Sequence, residues 1–547
     1  MIEIRGLAKS YGDHQALKDV TLSIRPGEFV VVLGPSGAGK STLLRCINRL
    51  IDPTAGDIVV DGTSLSSNRR DLRLLRRNVA MIFQQHNLVK RLSVLKNVLV
   101  GRMADLSPVL SSLQLFPEAD VKIAMHCLEQ VAMSHKAKSR ADALSGGEQQ
   151  RVGIARALAQ QPKFMLADEP VASLDPKTSR TVLTYLKKSC KESNIAVLCN
   201  LHQIDYALEF AERVVGLSAG QIVYDGPPSG VSGDVIRSIY PGLDDPNVLD
   251  AAQRLTERRR TAAEAVIAAA AVAADGNGER AENMSLQFVV NKPRGPLGWW
   301  ILAPILGATL AILWWSAQGT HLSITGFIDG LPWIADFIGR MLPPNFAFMQ
   351  KLVKPAVETV QIALWGTLLG IVLALPVCFF AARNLSPYAW VFHGLRQVLN
   401  VMRGINEIIL ALIFVAAVGL GPFAGVLAIA LHGAGMLGKF FAEAIEEIDE
   451  GPLDALRAAG AGTLQRIVFG VLPQVLPTWI GVVLYRFETN IRVSTVLGMV
   501  GAGGIGFELI SSMKLFAYED TAACVIVILV LVLATDLVSS KLRAMIR

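Results

Sequence analysis

Two hydrophobic rhythms divide this chain. Up to about residue 245, short apolar runs such as EFVVVLG, KFMLADE, IAVLCN and RVVGLSAGQIVYDG alternate with stretches of helical periodicity. That alternation predicts an α/β unit on a mostly parallel sheet, spanning residues 1–245. From Leu297 onward the apolar runs become long and nearly continuous. About six are long enough to cross a bilayer core of ~30 Å, at 298–317, 356–381, 404–420, 422–439, 474–491 and 521–540, so residues 291–547 are predicted to be an all-α polytopic membrane domain.

Between the two lies ERRR at 257–260, then the alanine-rich TAAEAVIAAAAVAADGNG. The apolar part of that tract is about ten residues, too short to span a membrane, which predicts a helical then flexible tether over 246–290. Within it, GERAENMSLQFVV (278–290) places Met284 after a polar run and ahead of apolar sequence. It reads as the former start of a separate chain, joined by natural or engineered fusion.

Composition sharpens this division. Hydrophobic residues make up 52% of the 547 positions and mean hydropathy is +0.42, above the norm for soluble proteins. The net charge of +6 is small for the length and gives no support for nucleic-acid binding. The basic residues follow membrane topology instead. With the first span running outward, Lys292, Arg294, Arg383, Arg396, Arg403, Lys439, Arg457, Arg466, Lys541, Arg543 and Arg547 fall inside, against Arg340, Lys351, Lys354, Arg492 and Lys514 outside. The N-terminus lacks the pattern of a secretory signal, so the first unit is expected in the cytoplasm. Six cysteines without CxxC or metal-like spacing read as reduced thiols.

Candidate chemistry begins with GPSGAGKST, Gly34, Pro35, Ser36, Gly37, Ala38, Gly39, Lys40, Ser41 and Thr42, which follows the apolar FVVVL and precedes a helical run. A glycine-rich turn between strand and helix lets backbone N–H groups surround phosphate oxygens, and the helix adds its positive end. Lys40 is expected on the β- and γ-phosphates and Ser41 on Mg²⁺. FMLADEP supplies adjacent carboxylates at a strand end, Asp168 for the metal and Glu169 to polarise the attacking water. Two such carboxylates would repel each other without a cation.

LSGGEQQRV, Leu144 to Val152, resembles the signature of ATP-binding cassette (ABC) ATPases. The remaining family elements follow in order: Tyr11 resembles the aromatic residue stacking on adenine, Gln84 the Q-loop glutamine and metal sensor, Asp175 the D-loop aspartate and His202 the switch histidine. The resemblance implies that Ser145, Gly146, Gly147, Glu148 and Gln149 serve the nucleotide held by another cassette. Two chains would then close head to tail around two ATP molecules, with Mg²⁺ as cofactor.

DALRAAGAGTLQRIVFGVLP, within an inner loop at about 443–473, resembles the EAA coupling loop of ABC importer permeases. Gly460, Leu472 and Pro473 fit its spacing, and Asp454 and Ala455 fall where the loop begins, while Asp454, Leu456 and Gly470 depart from the common Glu, Ala and Ile. FQQHNLVKRLSVLKNVLVGRM and ETNIRVSTVLGMVGAGGIGFEL are similar to the phosphonate-type importer subfamily. That implies an ATP-driven importer of phosphonate or a phosphite- or phosphate-like anion, served by an extracytoplasmic binding protein. Its place would be the cytoplasmic (inner) membrane, among lipid. Candidate path residues are Arg486, with Glu488 and Arg492 as a pair four apart, and Gly503 and Gly504 as an anion nest. His432 and Glu407 read as packing, helix-end or loop residues. Import of another solute such as methionine, and a regulatory membrane ATPase without transport, remain alternative readings.

Overall fold

The computed structural model describes residues 1–60, 62–64, 69–172, 174–241 and 299–546. The tether expected at 246–290, with Met284, lies outside them. Among the described residues ten strands form two sheets: β1 (Ile2–Tyr11), β2 (His14–Ile24), β3 (Phe29–Leu33), β4 (Ala55–Val60), β5 (Thr63–Ser64), β6 (Val79–Ile82), β7 (Phe164–Asp168), β8 (Ala196–Asn200), β9 (Arg213–Ser218) and β10 (Gln221–Gly226).

The larger sheet has the order β10-β9-β3-β8-β7-β6, parallel except for the β9/β10 pair. Its inner strands are apolar on both faces because both are covered: Phe29, Val31 and Leu33 face one core, Val30 and Val32 the other. The smaller sheet, β2-β1-β4-β5, is antiparallel and was not foreseen. Its period-two signal is broken by register shifts after Ile4 and Leu7, so Glu3 and Arg5 alternate with buried neighbours only briefly. Its apolar face packs on Val30, Val32 and the helix Lys40–Ile47, fixing the turn that precedes that helix. Burial lifts the thiols of Cys46, Cys127 and Cys190 to about 11.

In the second half, four helices among the described residues are long and apolar enough to cross a membrane: Val353–Ala381, Pro422–Glu446, Thr463–Met499 and Tyr518–Met545. The first expected span corresponds to the helix Trp299–Gly319. The third requires correction. Instead of one span at 404–420, the structure has a pair, Ala389–Gly404 and Glu407–Val418, bent by 83°. The second arm has 12 residues, about 18 Å at the helical rise, too short to cross alone. The break arises because the Asn406 side chain accepts the Ile408 N–H and starts a new helix. An outlying helix, Ile324–Arg340, was also absent from the expected elements.

Pro422–Glu446 is the centre of the bundle. Gly435 and Gly438 let Leu399 of the broken span approach closely, and Gly425 does the same for Ile362 and Ala502.

Candidate functional site

The phosphate loop is held by its glycines and its own lysine. Gly39 caps the helix Lys40–Ile47 at φ 100°, and a Cβ there would lie 2.5 Å from the Ala16 carbonyl oxygen. Lys40 Nζ donates to the carbonyls of Gly34 at 2.6 Å and Pro35 at 3.0 Å. Burial lowers its pKa below the ordinary lysine value, with Glu169 and then Asp168 pulling it back up. An open cleft of about 340 Å³ is lined by Tyr11, His14, Ala16, the run Ser36–Thr42, Glu169 and His202. Gly34 and Pro35 stand behind it, carrying Lys40.

The two carboxylates at the end of β7 point into separate networks. Asp168 Oδ1 accepts from Ser41 Oγ at 2.8 Å and from Asn200 Nδ2 at 2.9 Å. Glu169, at φ 48°, accepts from Gln84 Nε2 at 2.8 Å, while its other oxygen meets His202 Nε2. The expected catalytic residues Glu169, Gln84 and His202 are therefore in one place. Asn200 and Tyr240, whose hydroxyl accepts the Gly34 N–H at 3.2 Å, escaped sequence reading. Asn200 had one signal, its position at a strand end two residues before His202; Tyr240 had none.

The signature residues lie elsewhere. Ser145 caps the helix Gly146–Ala159, and its N–H donates to Glu148 Oε2 at 3.0 Å in a capping box. Lys136, then the Ser145 N–H, hold the Glu148 carboxyl down at about 2. Gln149 Nε2 donates to the Leu144 carbonyl at 3.1 Å. The side chains of Glu148 and Gln149 thus brace the loop, and their place in the motif has a structural use. Asp175 caps the helix Pro176–Glu192 by accepting the Thr178 N–H at 3.0 Å, and the Thr178 side chain, then that N–H, hold its carboxyl below the usual range. Neither Ser145, Gly146, Gly147 nor Asp175 lines the phosphate-loop cleft of its own chain.

The inner loop is seated on the cassette. Its helix Glu450–Ala458 places Ala455 and Ala458 in the apolar cluster with Leu75, Met81 and Phe83, and Leu453 and Leu456 with Val89, Leu92 and Met103. Asp454 pairs with Arg457 at 3.1 Å on its own helix. Gly460, at φ 76°, lies where a Cβ would come within 2.9 Å of Ala104 Cβ. Gln465, fully buried, donates to the Met103 carbonyl at 3.3 Å and to Ser111 Oγ at 2.8 Å. Phe469 meets Phe116 edge to face, with centroids 5.8 Å apart. Gly470, a departure from the common pattern, has a physical reason: a Cβ there would come within 2.5 Å of Leu453 and 2.8 Å of Leu456. Leu472 and Pro473 open the long helix Leu472–Met499 that enters the membrane. Gln465 had no motif signal in the sequence.

Along that helix the ionisable residues separate. Glu488, almost wholly buried, pairs with Arg492 and with Arg543 at 3.4 Å. Arg486 lies two residues earlier, so about 200° round the helix, and meets Met436 Sδ at 3.4 Å. Gly503 and Gly504 lie beyond Met499, in a turn that folds back beside Thr359 at the level of Ser494, about two helical turns past Arg486. A Cβ on Gly503 would meet Glu358 Oε1 at 2.7 Å and Pro422 at 3.1 Å, and one on Gly504 would meet Thr359 Oγ1 at 2.6 Å. Thr359 Oγ1 also accepts the Ile505 N–H at 2.9 Å. Close packing beside a carboxylate accounts for these glycines better than the expected anion nest. His432 and Glu407, expected to serve packing or helix ends, meet at the break in the bent span. His432 Nδ1 contacts the Ile405 carbonyl at 2.9 Å and Nε2 stands 3.5 Å from Glu407 Oε2.

Residues 17–172 match the ABC transporter family model, and residues 366–546 match that of the binding-protein-dependent transport system inner membrane component. The "Phosphonates import ATP-binding protein PhnC 3" of Halalkalibacterium halodurans is 53% identical over 242 residues, covering 44% of this chain and 94% of the relative. The "Phosphonates import ATP-binding protein PhnC" of Thiobacillus denitrificans is 51% identical over 254 residues, covering 46% of this chain and 97% of the relative. The first half is therefore an ATP-hydrolysing cassette on the cytoplasmic side, and the second is a multi-pass membrane permease. The chain belongs to the ABC transporter family, as an import ATPase fused to a binding-protein-dependent permease.

Proposed function

We propose that two copies of this chain form an importer that carries phosphonate, or a phosphite- or phosphate-like oxyanion, inward across the cytoplasmic membrane. The observation that carries the cargo class is the 53% identity of the cassette to a relative named for phosphonates import. An extracytoplasmic binding protein delivers the anion to the outer face, and the buried Gln465 seat couples the two halves.

The nucleotide site supports a definite division of labour. Lys40 is held by two carbonyls that it exchanges for β- and γ-phosphate oxygens when ATP enters. Tyr11, exposed at the rim, offers a face for adenine. The hydroxyl of Ser41 against the Asp168 carboxylate, with Gln84 nearby on Glu169, is a hard oxygen set that fits Mg²⁺. Bound there, Mg²⁺ would neutralise charge on the β- and γ-phosphate oxygens. Glu169, oriented from both sides by Gln84 and His202, takes the proton of the attacking water.

Because Ser145, Gly146 and Gly147 stand outside their own cleft, their helix N-terminus is available to the γ-phosphate held by the second chain. ATP then binds the cassettes to each other, and hydrolysis removes the contact that kept them closed. The movement reaches the membrane through Leu453, Leu456 and Gln465, which ride on the cassette and lead directly into the helix Leu472–Met499.

The test is ATPase activity of the full chain in nanodiscs with a phosphonate-type binding protein, across methylphosphonate, 2-aminoethylphosphonate, phosphite, phosphate and methionine. Stimulation by phosphorus oxyanions alone is expected. Stimulation by methionine alone would keep the importer and overturn the cargo.

A further inference from the structure

Arg486 sits inside the permease in an unusual condition. It is 4% exposed, yet its Nε and Nη2 have no hydrogen-bond partner, and among the described residues no carboxylate lies within ion-pair distance of it. Only Nη1 makes a contact, with the soft sulfur of Met436. A guanidinium left this way at membrane depth is costly, and such a group is explained when another state of the protein supplies its acceptors. The two orphaned nitrogens are informative as a pair. They occupy one edge of the guanidinium, where parallel N–H bonds match two oxygens of a single carboxylate or phosphonate.

The surroundings name a competitor for that edge. Glu407 begins the second arm of the broken span, and its charge acts on Arg486 without reaching it. It is held instead beside His432, whose other ring nitrogen is engaged by the carbonyl of Ile405 at the break. With Nδ1 engaged by that carbonyl, Nε2 faces Glu407 Oε2 at 3.5 Å and holds the carboxylate away from the arginine edge. The residue after His432 is Gly433, where even an added Cβ would lie 4.0 Å from Arg486 Nε. Gly433 therefore puts no side chain of its own against the arginine. The Glu407 and His432 side chains keep 19% and 11% of their surface exposed.

We propose that the Nε/Nη2 edge of Arg486 is an intramembrane oxyanion subsite, and that Glu407 is its internal competitor, held beside His432 in this conformation and seated on the edge in the alternative position of the short arm. This rests on the oxyanion-import reading above and adds to it the residues that hold the anion and the one that replaces it. The bend at 404–406 is the hinge: a shift of the short arm carries Glu407 towards or away from the arginine. Cargo and carboxylate exchange at one guanidinium edge, so the buried cation is never left for long without an anion.

The test uses the full chain in nanodiscs without any binding protein, with ATPase activity measured against millimolar methylphosphonate. Wild type is expected to respond little. Glu407→Gln, which removes the competing charge, should gain a methylphosphonate-dependent stimulation of about threefold or more. His432→Leu, which frees Glu407 to occupy the edge, should lower methylphosphonate uptake in the complete system, and adding Glu407→Gln to it should restore the loss. A merely structural role would push both single variants the same way and give no rescue. If Glu407→Gln does not assemble, Glu407→Asp, which withdraws the carboxylate by one methylene, should show the same response in smaller measure. Silence of the assembled Glu407 variants towards methylphosphonate overturns the subsite. If wild type with its binding protein still imports methylphosphonate in that case, the import reading stands and only this inference falls. A response of Glu407→Gln to methionine but not methylphosphonate overturns both.

Discussion

The nucleotide cleft and the membrane cluster handle buried charge in opposite ways. In the cleft every reacting group already has a partner: Lys40 on two carbonyls, Asp168 on Ser41 and Asn200, Glu169 between Gln84 and His202. In the membrane, Arg486 keeps two nitrogens without a partner. Preformed orientation suits chemistry that recurs identically in each cycle. An open valence suits a site whose partner arrives and must leave again. Between them, the Gln465 seat is neither: it is a buried contact between the permease loop and the cassette, the one proposed above to couple them.

The contrast is tested most severely at Glu169. Glu169→Gln should lower ATP turnover by about 10²- to 10⁴-fold while ATP still binds, measured by phosphate release alongside nucleotide-binding fluorescence. Hydrolysis near wild type would break the assignment. Gln465→Ala should act differently, sparing ATP turnover and losing transport per ATP, because removing this buried donor leaves the Met103 carbonyl unpaired and weakens the seat by about 1–3 kcal/mol. Equal loss of both activities would show that the loop supports the cassette fold instead of coupling it.

A smaller effect is expected at the signature loop. Lys136→Ala removes the main cause of the depressed Glu148 carboxyl, and because the pair is partly solvent-exposed the loss should be only about 0.2–1 kcal/mol. The folded carboxyl is lowered, so its contribution is full above the ordinary glutamate value and disappears as pH falls towards about 2. Thermal melts should therefore show the variant below wild type at neutral pH, with the gap closing as pH drops through the range from about 4.5 to 2. The smallest change is expected from cutting the chain at Asn283 and co-expressing the halves. If the segment only tethers, uptake should survive, and an assembled but inactive split protein would give it a further role.

How much could be read beforehand follows the same division. The phosphate loop, Asp168, Glu169 and the signature are contiguous words because backbone turns and helix caps impose fixed spacing on local sequence. Asn200 and Tyr240 reach the phosphate site, and Gln465 the cassette surface, from far along the chain, and nothing in the residues around Tyr240 or Gln465 announces the partner. The small antiparallel sheet was hidden by its bulges, and the bent third span by its first arm, Ala389–Gly404, whose Arg396, Gln397, Asn400 and Arg403 keep it from reading as apolar. Arg486 and Glu488 stood out as ionisable groups in an apolar segment. That one is satisfied by Arg492 and Arg543 while the other is not is a matter of facing, which only the packed helices decide.

The most direct measurement is methylphosphonate uptake into proteoliposomes loaded with ATP and Mg²⁺, with the binding protein outside, comparing wild type with Gln465→Ala. ATP-dependent accumulation by wild type, lost in the variant while its ATPase activity persists, is the predicted result. No accumulation by an ATP-hydrolysing wild-type chain, or undiminished accumulation by the variant, would contradict the coupling of this cassette to an anion-carrying permease.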